Sequence, residues 1–162
     1  MPDSLRHSEG GIVIRRAVPE DASGFVEINR RFNGDDLVET DLDRIENVLS
    51  EQTDCAVFVA ETNCMLIGFT VASIFHSVCY KNPSVEITEL FVDQDMRRKG
   101  IAGLLINEAV KLANNIKAQE LVLRVNEKNK DAVNFYESFN FENAGHVVYR
   151  IRFEGPNLKA AD

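Results

Sequence analysis

The chain has 162 residues, of which 44% are hydrophobic and 27% are charged, so its length and composition predict one folded domain and exclude an intrinsically disordered chain. Its 26 acidic and 18 basic residues give a net charge of −8, which disfavours nucleic acid as a partner. No apolar run reaches the roughly 18–20 residues that a membrane span needs, and the first residues lack the apolar stretch of a signal peptide. The three cysteines have no metal-ligand spacing, so the sequence predicts a cytoplasmic protein with reduced thiols and no metal.

Hydrophobic periodicity and turn residues predict strands and helices along the whole chain. The expected strands cover residues 11–17, 55–60, 65–75, 84–92, 120–125 and 147–153. The expected helices cover residues 19–33, 40–51, 101–116 and 129–139.

The connections between these elements predict the fold class. A short turn between the second and third strands favours an antiparallel hairpin, whereas a helix between the fourth and fifth strands implies a parallel crossover. We therefore expect an α/β (α+β) fold with a single central mixed, mostly antiparallel sheet and about four flanking helices. No linker or repeat divides the chain, so one domain is expected over residues 11–154, between a flexible tail over residues 1–10 and a tail over residues 155–162.

The acidic excess lies entirely in residues 1–80 and is densest between residues 33 and 46. A field of this sign favours a cationic ligand. The acidic residues with which we associate a substrate are Asp35, Asp36 and Glu39. A solvated acidic helix start, which only keeps the protein soluble, is the alternative interpretation.

The segment Arg97-Arg98-Lys99-Gly100-Ile101-Ala102 joins an expected strand to an expected helix, an arrangement that can bind phosphate. Gly100 allows a positive φ or a close approach to a ligand, and the free amides of a helix start attract an anion. Helices normally prefer acidic residues at this end, so three basic residues need an explanation, which a bound phosphate supplies. A chance basic loop before an amphipathic helix is the alternative.

The glycine spacing of this segment is that of neither a Walker loop nor a dinucleotide-binding Gly-x-Gly-x-x-Gly motif. Its pattern Arg97-x-x-Gly100-x-Ala102 instead resembles the pyrophosphate motif Arg/Gln-x-x-Gly-x-Gly/Ala of the GNAT superfamily of acetyl-CoA-dependent N-acetyltransferases. The preceding strand ends in Leu90-Phe91-Val92, which is similar to the Leu-x-Val that is usual in this family.

A second segment about thirty residues later, Asn129-x-x-Ala132-x-x-x-Tyr136, matches the second motif of the same family. The family commonly has Gly-Phe after this helix, where the chain has Asn140-Phe141, and asparagine also tolerates a left-handed helix end. The motifs carry the resemblance over residues 85–145, and the order of elements extends it to nearly the whole chain.

The resemblance implies acetyl-CoA as the cosubstrate. The backbone amides from Arg98 to Gly103 would hold the pyrophosphate, and the main chain of Val92 would bond the pantetheine arm and help to polarise the acetyl carbonyl. Asn129 would hydrogen-bond the cosubstrate, Tyr136 would lie beside the thioester sulfur, and the parallel strands would splay apart to admit the pantetheine. The expected cofactor-binding residues are Leu90, Phe91, Val92, Arg97, Arg98, Lys99, Gly100, Ile101, Ala102, Gly103, Asn129 and Tyr136.

Acetyl transfer to an amine needs two proton transfers, which points to candidate catalytic residues. An amine with a reference pKa of about 10.4 is protonated at pH 7, so a carboxylate or water must accept its proton, and a phenol such as Tyr136 can protonate the leaving thiolate. Strand alternation predicts Glu86 and Glu89 on opposite faces of their strand. The resemblance favours Glu86, because histone-type members carry their base six residues before the Val92 position; Glu89 is the rival, and an ordinary surface carboxylate is the alternative for each.

The acceptor amine is left open by the sequence, because one fold serves many substrates. The acidic excess favours a small cationic amine, either a polyamine or an aminoglycoside, since the first two helices line the acceptor side in the family. A protein lysine or amino-terminal amine is the alternative within the enzyme class. A non-catalytic CoA-binding regulatory module is an alternative of another class, and the resemblance allows a homodimer because dimers are common in the family.

Overall fold

The computed structural model describes residues 7–9, 11–33 and 42–150, the first three by their backbone alone. Two compact units make up the chain: one ends at Arg124 and the other begins at Val125. The helices are α1 (Ala22–Asn33), α2 (Leu42–Glu51), α3 (Ile101–Asn115) and α4 (Lys130–Glu137). The strands are β1 (His7–Glu9), β2 (Ile12–Arg16), β3 (Cys55–Thr62), β4 (Met65–Phe75), β5 (Ser84–Val92) and β6 (Glu120–Leu123). No helix among these residues is long and apolar enough to cross a membrane.

The first unit contains one six-stranded sheet whose strands lie in chain order from β1 to β6. Every neighbouring pair is antiparallel except β5 and β6, which run parallel. The expected mixed, mostly antiparallel sheet with four helices is confirmed. The expectation of one domain over residues 11–154 stays a prediction.

Two strand assignments differ from the sequence-based expectation. Residues 7–9, expected in a flexible tail, pair with β2 as the edge strand β1. Residues 147–150, expected to begin a last strand, contain no strand, and residues 151–153 lie outside the described chain. The exposed fractions of Val147, Val148 and Tyr149 are 75%, 62% and 91%. Residues of high β-propensity form strands where they pack on a half-buried sheet surface, and these side chains have no such packing.

Apolar side chains cover both faces of the sheet. We call these the α1–α2 face and the α3 face, after the helices that pack on them. The core of the α1–α2 face contains Ala17, Ala22, Phe25, Ile28, Ile45, Leu49, Val57, Val59, Leu66 and Phe69. The core of the α3 face contains Ile14, Ala56, Phe58, Ala60, Ile67, Val92, Ile101 and Leu105. Strand alternation explains the division, because successive side chains of β3 belong to opposite cores.

The parallel pairing with β6 covers only the first residues of β5. Residues 84–87 lie beside residues 120–123, where β6 ends, while β5 continues to Val92. The next residue of β5, Thr88, lies opposite no residue of β4 in the strand register, which makes it the extra residue of a β-bulge. The pairing of β5 with β6 therefore ends just before the bulge, and the expected splay of these strands stays a prediction.

Candidate active site

The loop that joins β5 to α3, residues 93–100, contains two left-handed residues. Arg98 has a φ of +61° and Gly100 a φ of +79°, and Gly100 is the last residue before α3. A Cβ atom at Gly100 would meet no other atom within 4 Å. The backbone conformation therefore explains the glycine, since side chains, and β-branched ones above all, resist a positive φ.

The amino end of α3 presents unbonded backbone N–H groups. The N–H of Leu104 donates to the carbonyl of Gly100 at 3.1 Å, which is the first hydrogen bond of the helix. The six N–H groups of residues 98–103 have no acceptor within the described ranges. Ile101 and Leu105 are buried in the core of the α3 face and hold this end of the helix in place. Free N–H groups and a helix dipole together attract an anion, so these residues fit the pyrophosphate of CoA.

The three basic side chains of this loop have different surroundings. Arg97 Nε donates to the carbonyl oxygen of Val92 at 3.0 Å, and Lys99 Nζ lies 3.4 Å from Met96 Sδ. Arg98 is exposed. Arg97 thus closes the loop on the end of β5, and the carbonyl of Val92 already has a donor. The side chains of Leu90 and Phe91 pack on opposite faces of the sheet, beside the α3 core and the α1–α2 core respectively.

The bulge at Thr88 changes the orientation of the two candidate bases. Glu86 lies opposite Ser73 of β4 and Glu89 lies opposite Val71. Ser73 and Val71 are two residues apart on a regular strand, so they share a face, and their partners Glu86 and Glu89 share it too. This is the α1–α2 face, because Val71 packs against its core. The expectation that Glu86 and Glu89 lie on opposite faces is wrong, since the extra residue between them restores them to the same side.

The two carboxylates differ in their partners. Glu86 is 8% exposed and lies in an ion pair with Arg124, with Nε–Oε1 and Nη2–Oε2 distances of 3.2 and 3.3 Å. Glu89 is half-buried, accepts a short hydrogen bond from Thr88 Oγ1 and has no ion pair among the described residues. The carboxylate of Glu86 is therefore engaged by a cation, whereas that of Glu89 has no cationic partner among the described residues.

The second unit contains the other motif. Asn129 is the N-cap of α4, and its Oδ1 accepts a hydrogen bond from the N–H of Ala132 at 3.2 Å, which explains the spacing Asn-x-x-Ala physically. The ring of Tyr136 lies in edge contact with Phe135 and Phe141, at centroid distances of 5.3 and 6.0 Å. Burial raises the pKa of Tyr136, so its phenol keeps its proton at neutral pH. Asn140, after the helix, has the left-handed φ of +62° that was expected there.

The expected substrate residues Asp35, Asp36 and Glu39 lie outside the described residues. Within the described ranges, no group of three or more His, Cys, Asp or Glu side chains is arranged to hold a metal ion.

Two basic residues beside the candidate site have long-range partners that were missed from the sequence. Arg124 contacts Glu86, and Arg31 of α1 contacts Asp93 at the end of β5. The signal for Arg124 was a lone basic residue at the end of an apolar strand that was expected beside the strand of Glu86. Arg31 has no comparable signal, because its partner lies 62 residues away in the sequence.

The sequence matches the acetyltransferase (GNAT) family over residues 22–141. The chain belongs to this family. It is also 30% identical over 141 residues to the uncharacterized N-acetyltransferase YhfO of Bacillus subtilis, a match that covers 84% of this chain and 94% of that protein. The uncharacterized N-acetyltransferase MJ1207 of Methanocaldococcus jannaschii is 35% identical over 95 residues, which cover 58% of this chain and 42% of that protein. The chain thus spans less than half the length of MJ1207.

Solved GNAT-fold structures resemble most of the chain. The aminoglycoside N-acetyltransferase AAC(6')-Iy in complex with CoA has a TM-score of 0.76 at 22% identity, covering 91% of this chain and 97% of that chain. The ribosomal-protein-alanine N-acetyltransferase of Brucella melitensis has a TM-score of 0.73 at 23% identity, covering 88% of this chain and 99% of that chain. These similarities confirm the expected fold, and the chain is an N-acetyltransferase domain of the GNAT family.

Proposed function

We propose that the protein transfers the acetyl group of acetyl-CoA to a primary amine. The amino end of α3 carries this proposal: Gly100, at a φ of +79°, turns the chain so that six N–H groups, which have no acceptor among the described residues, precede and open the helix. This arrangement supplies what a pyrophosphate requires, which is several donors and a positive helix end. Arg98 adds an exposed positive charge beside them.

Bound acetyl-CoA would supply an activated thioester, and the side chains of the protein would handle the protons. Glu89 accepts the proton of the acceptor ammonium, directly or through water, because its carboxylate is half-buried and has no cationic partner among the described residues. Glu86 is engaged in the ion pair with Arg124 and is not the base that we propose. Tyr136 donates a proton to the leaving thiolate, a role for which its raised pKa keeps the phenol protonated.

The acceptor that we propose is a small cationic amine such as a polyamine or an aminoglycoside. Two observations support this substrate class. Glu86 and Glu89 both point to the α1–α2 face, and the segment that connects α1 to α2 contains the acidic residues Asp35, Asp36 and Glu39. Several carboxylates in these parts of the sequence attract a cation that has more than one charge.

The experiment is an amine panel in which CoA release from acetyl-CoA is measured. The panel contains a polyamine, an aminoglycoside, a neutral monoamine, a lysine-containing peptide and a peptide with a free amino terminus. Preference for the first two, weakened by salt, supports the proposed substrate class. Preference for either peptide replaces it with a protein amine. Binding of CoA without turnover of any amine leaves a CoA-binding regulatory module, and homodimer formation stays a prediction.

A further inference from the structure

The junction between β5 and the loop is held by a closed set of hydrogen bonds. Asp93, the first residue after β5, donates its N–H to the carbonyl of Ile67 at 2.9 Å and accepts from Arg31 Nη1 at 2.7 Å through its carboxylate. The same guanidinium donates from Nη2 to the carbonyl of Leu66 at 2.9 Å. Leu66 and Ile67 are adjacent on β4, so Arg31 and Asp93 donate to two neighbouring carbonyls of the same strand.

This point of β4 is itself irregular. The register of β3 and β4 passes from Gly68 opposite Ala60 to Leu66 opposite Glu61, so Ile67 is an extra residue. A bulge interrupts the ladder locally and leaves main-chain groups available to other partners. The carbonyl of Ile67 is bonded to Asp93, and that of Leu66 to Arg31, as above.

The position of Asp93 is transmitted to the helix start by a short and well-bonded loop. The N–H of Met96 donates to the carbonyl of Asp93 at 2.9 Å, and the N–H of Arg97 donates to that of Gln94 at 3.3 Å. Arg97 Nε then returns to the carbonyl of Val92 at 3.0 Å. A loop braced in this way moves as one piece, so a displacement of Asp93 displaces the N–H groups that follow it.

The contact between Arg31 and Asp93 is partly withdrawn from water. The side chain of Asp93 is 15% exposed and that of Arg31 is 42% exposed. Burial raises the pKa of Asp93, while the charge of Arg31 opposes that shift. Burying a carboxylate costs free energy, and the charge-assisted hydrogen bond from Arg31 offsets that cost for Asp93.

We propose that Arg31 is a positioning residue of the acetyl-CoA site: by fixing Asp93 against β4, it aims the free N–H groups of residues 98–103 at the pyrophosphate. This inference rests on the proposed function. Arg31 stands at the end of α1, far from the loop in sequence, and acts through Asp93 rather than by touching the cosubstrate. Its loss should therefore weaken the binding of acetyl-CoA without slowing the chemical step at saturation.

The test compares Arg31→Ala with Arg30→Ala. Arg30 is the neighbouring residue on α1, and its one ion pair among the described residues is with Glu27 of its own helix, at 3.8 Å with both side chains mostly exposed. For Arg31→Ala we expect the Kd and the KM for acetyl-CoA to rise about tenfold, the loss typical of one charge-assisted hydrogen bond, with kcat nearly unchanged. Arg30→Ala should leave the Kd, the KM and kcat at the wild-type values. Arg31→Lys retains the charge but not the two donor groups of the guanidinium, so its Kd should lie between those of the wild type and Arg31→Ala.

A double-mutant cycle identifies the path of the effect. Asp93→Asn alone should also raise the Kd for acetyl-CoA, and adding it to Arg31→Ala should cost little more, because both changes break the same contact. Fully additive effects, or a Kd for Arg31→Ala equal to that of the wild type, overturn the inference. If Arg31→Ala does not fold, Arg31→Lys and Asp93→Asn decide by the same Kd. A wild-type protein that binds no acetyl-CoA overturns the proposed function as well, so the two failures are distinguishable.

Discussion

Strand β5 and the loop that follows it form two halves of the candidate site, and they position their functional groups by different physical means. After the carboxyl end of β5, the chain turns into α3 through the left-handed backbone of Gly100, and the donors of the site are N–H groups of the same short segment. In the middle of β5, Glu86 and Glu89 reach one face only because Thr88 lies opposite no residue of β4. The first arrangement is local in sequence, whereas the second depends on the register of two strands.

This difference determines how each half can fail. A local arrangement fails when one residue can no longer adopt its φ and ψ. A register-dependent arrangement fails when the bonds that hold the bulge are removed, even if they lie on another strand. Thr70 of β4 is such a residue, because it is fully buried and its Oγ1 donates to the carbonyl of Glu89 at 2.9 Å.

The largest effect is expected from Gly100→Val, which attacks the local half. Valine resists a φ of +79°, so the helix start should lose the geometry that binds pyrophosphate. Acetyl-CoA at 100 times its Kd should add about 2.7 kcal/mol to the stability of the wild type and raise its Tm by several degrees, and the variant should show no shift. Gly11→Val is the matched control, because Gly11 has a φ of +81° and equally open surroundings but lies in the turn between β1 and β2. An acetyl-CoA shift that survives Gly100→Val contradicts the local account.

Sequence patterns predicted the local half well and the register-dependent half badly. The positive φ of Gly100 follows from the residue itself and its place before a helix. The common face of Glu86 and Glu89 does not follow, because strand periodicity assumes one residue for each partner and no pattern within β5 reveals the extra residue at Thr88. The ion pair of Glu86 with Arg124 was also missed, since it joins β5 to the residue that follows β6.

The fold shows the same division. Strands with a buried side, such as β4 and β5, were predicted with their observed limits because their apolar patterns are dense. The edge strand β1 was missed, and a strand was expected at Val147 and Val148, where the described chain has none. Whether a segment forms an edge strand depends on the strand that it can pair with, and the sequence of the segment alone does not specify that strand.

A loss of about 10³-fold in kcat is expected for Glu89→Gln, measured at pH 7 with a saturating amine, because the acceptor then remains an ammonium ion. Alkaline pH should restore part of the rate by supplying free amine. Glu86→Gln, the matched change on the same face, should lower kcat much less, since the carboxylate of Glu86 is engaged in an ion pair with Arg124. The reverse order of the two variants would return the role of base to Glu86, and two unaffected variants would assign it to water.

For Tyr136→Phe we expect a smaller loss, about 10²-fold in kcat, with the Kd for acetyl-CoA nearly unchanged. The thiolate of CoA is a moderate leaving group even without a proton donor, and phenylalanine preserves the contacts with Phe135 and Phe141. Because burial raises the pKa of Tyr136, the phenol stays protonated through neutral pH, and the loss of its proton should lower the wild-type kcat only at strongly alkaline pH. Tyr149→Phe is the control, because Tyr149 is 91% exposed. An unchanged kcat in Tyr136→Phe would make this tyrosine a packing residue.

The smallest effect, and the one that tests the register-dependent half most directly, is expected from Thr70→Val. Valine has the shape of threonine but cannot donate to the carbonyl of Glu89, so a buried acceptor loses a partner at a cost of about 1–2 kcal/mol and a few degrees in Tm. Thr62→Val removes a hydrogen bond of 3.2 Å at an exposed position and should cost less. If Thr70 also fixes the backbone from which Glu89 projects, kcat should fall severalfold while the KM for acetyl-CoA stays constant. A fall in Tm with no change in kcat would mean that Thr70 stabilises the sheet without orienting Glu89, and that the bulge maintains its shape through the pairing of β4 and β5 alone.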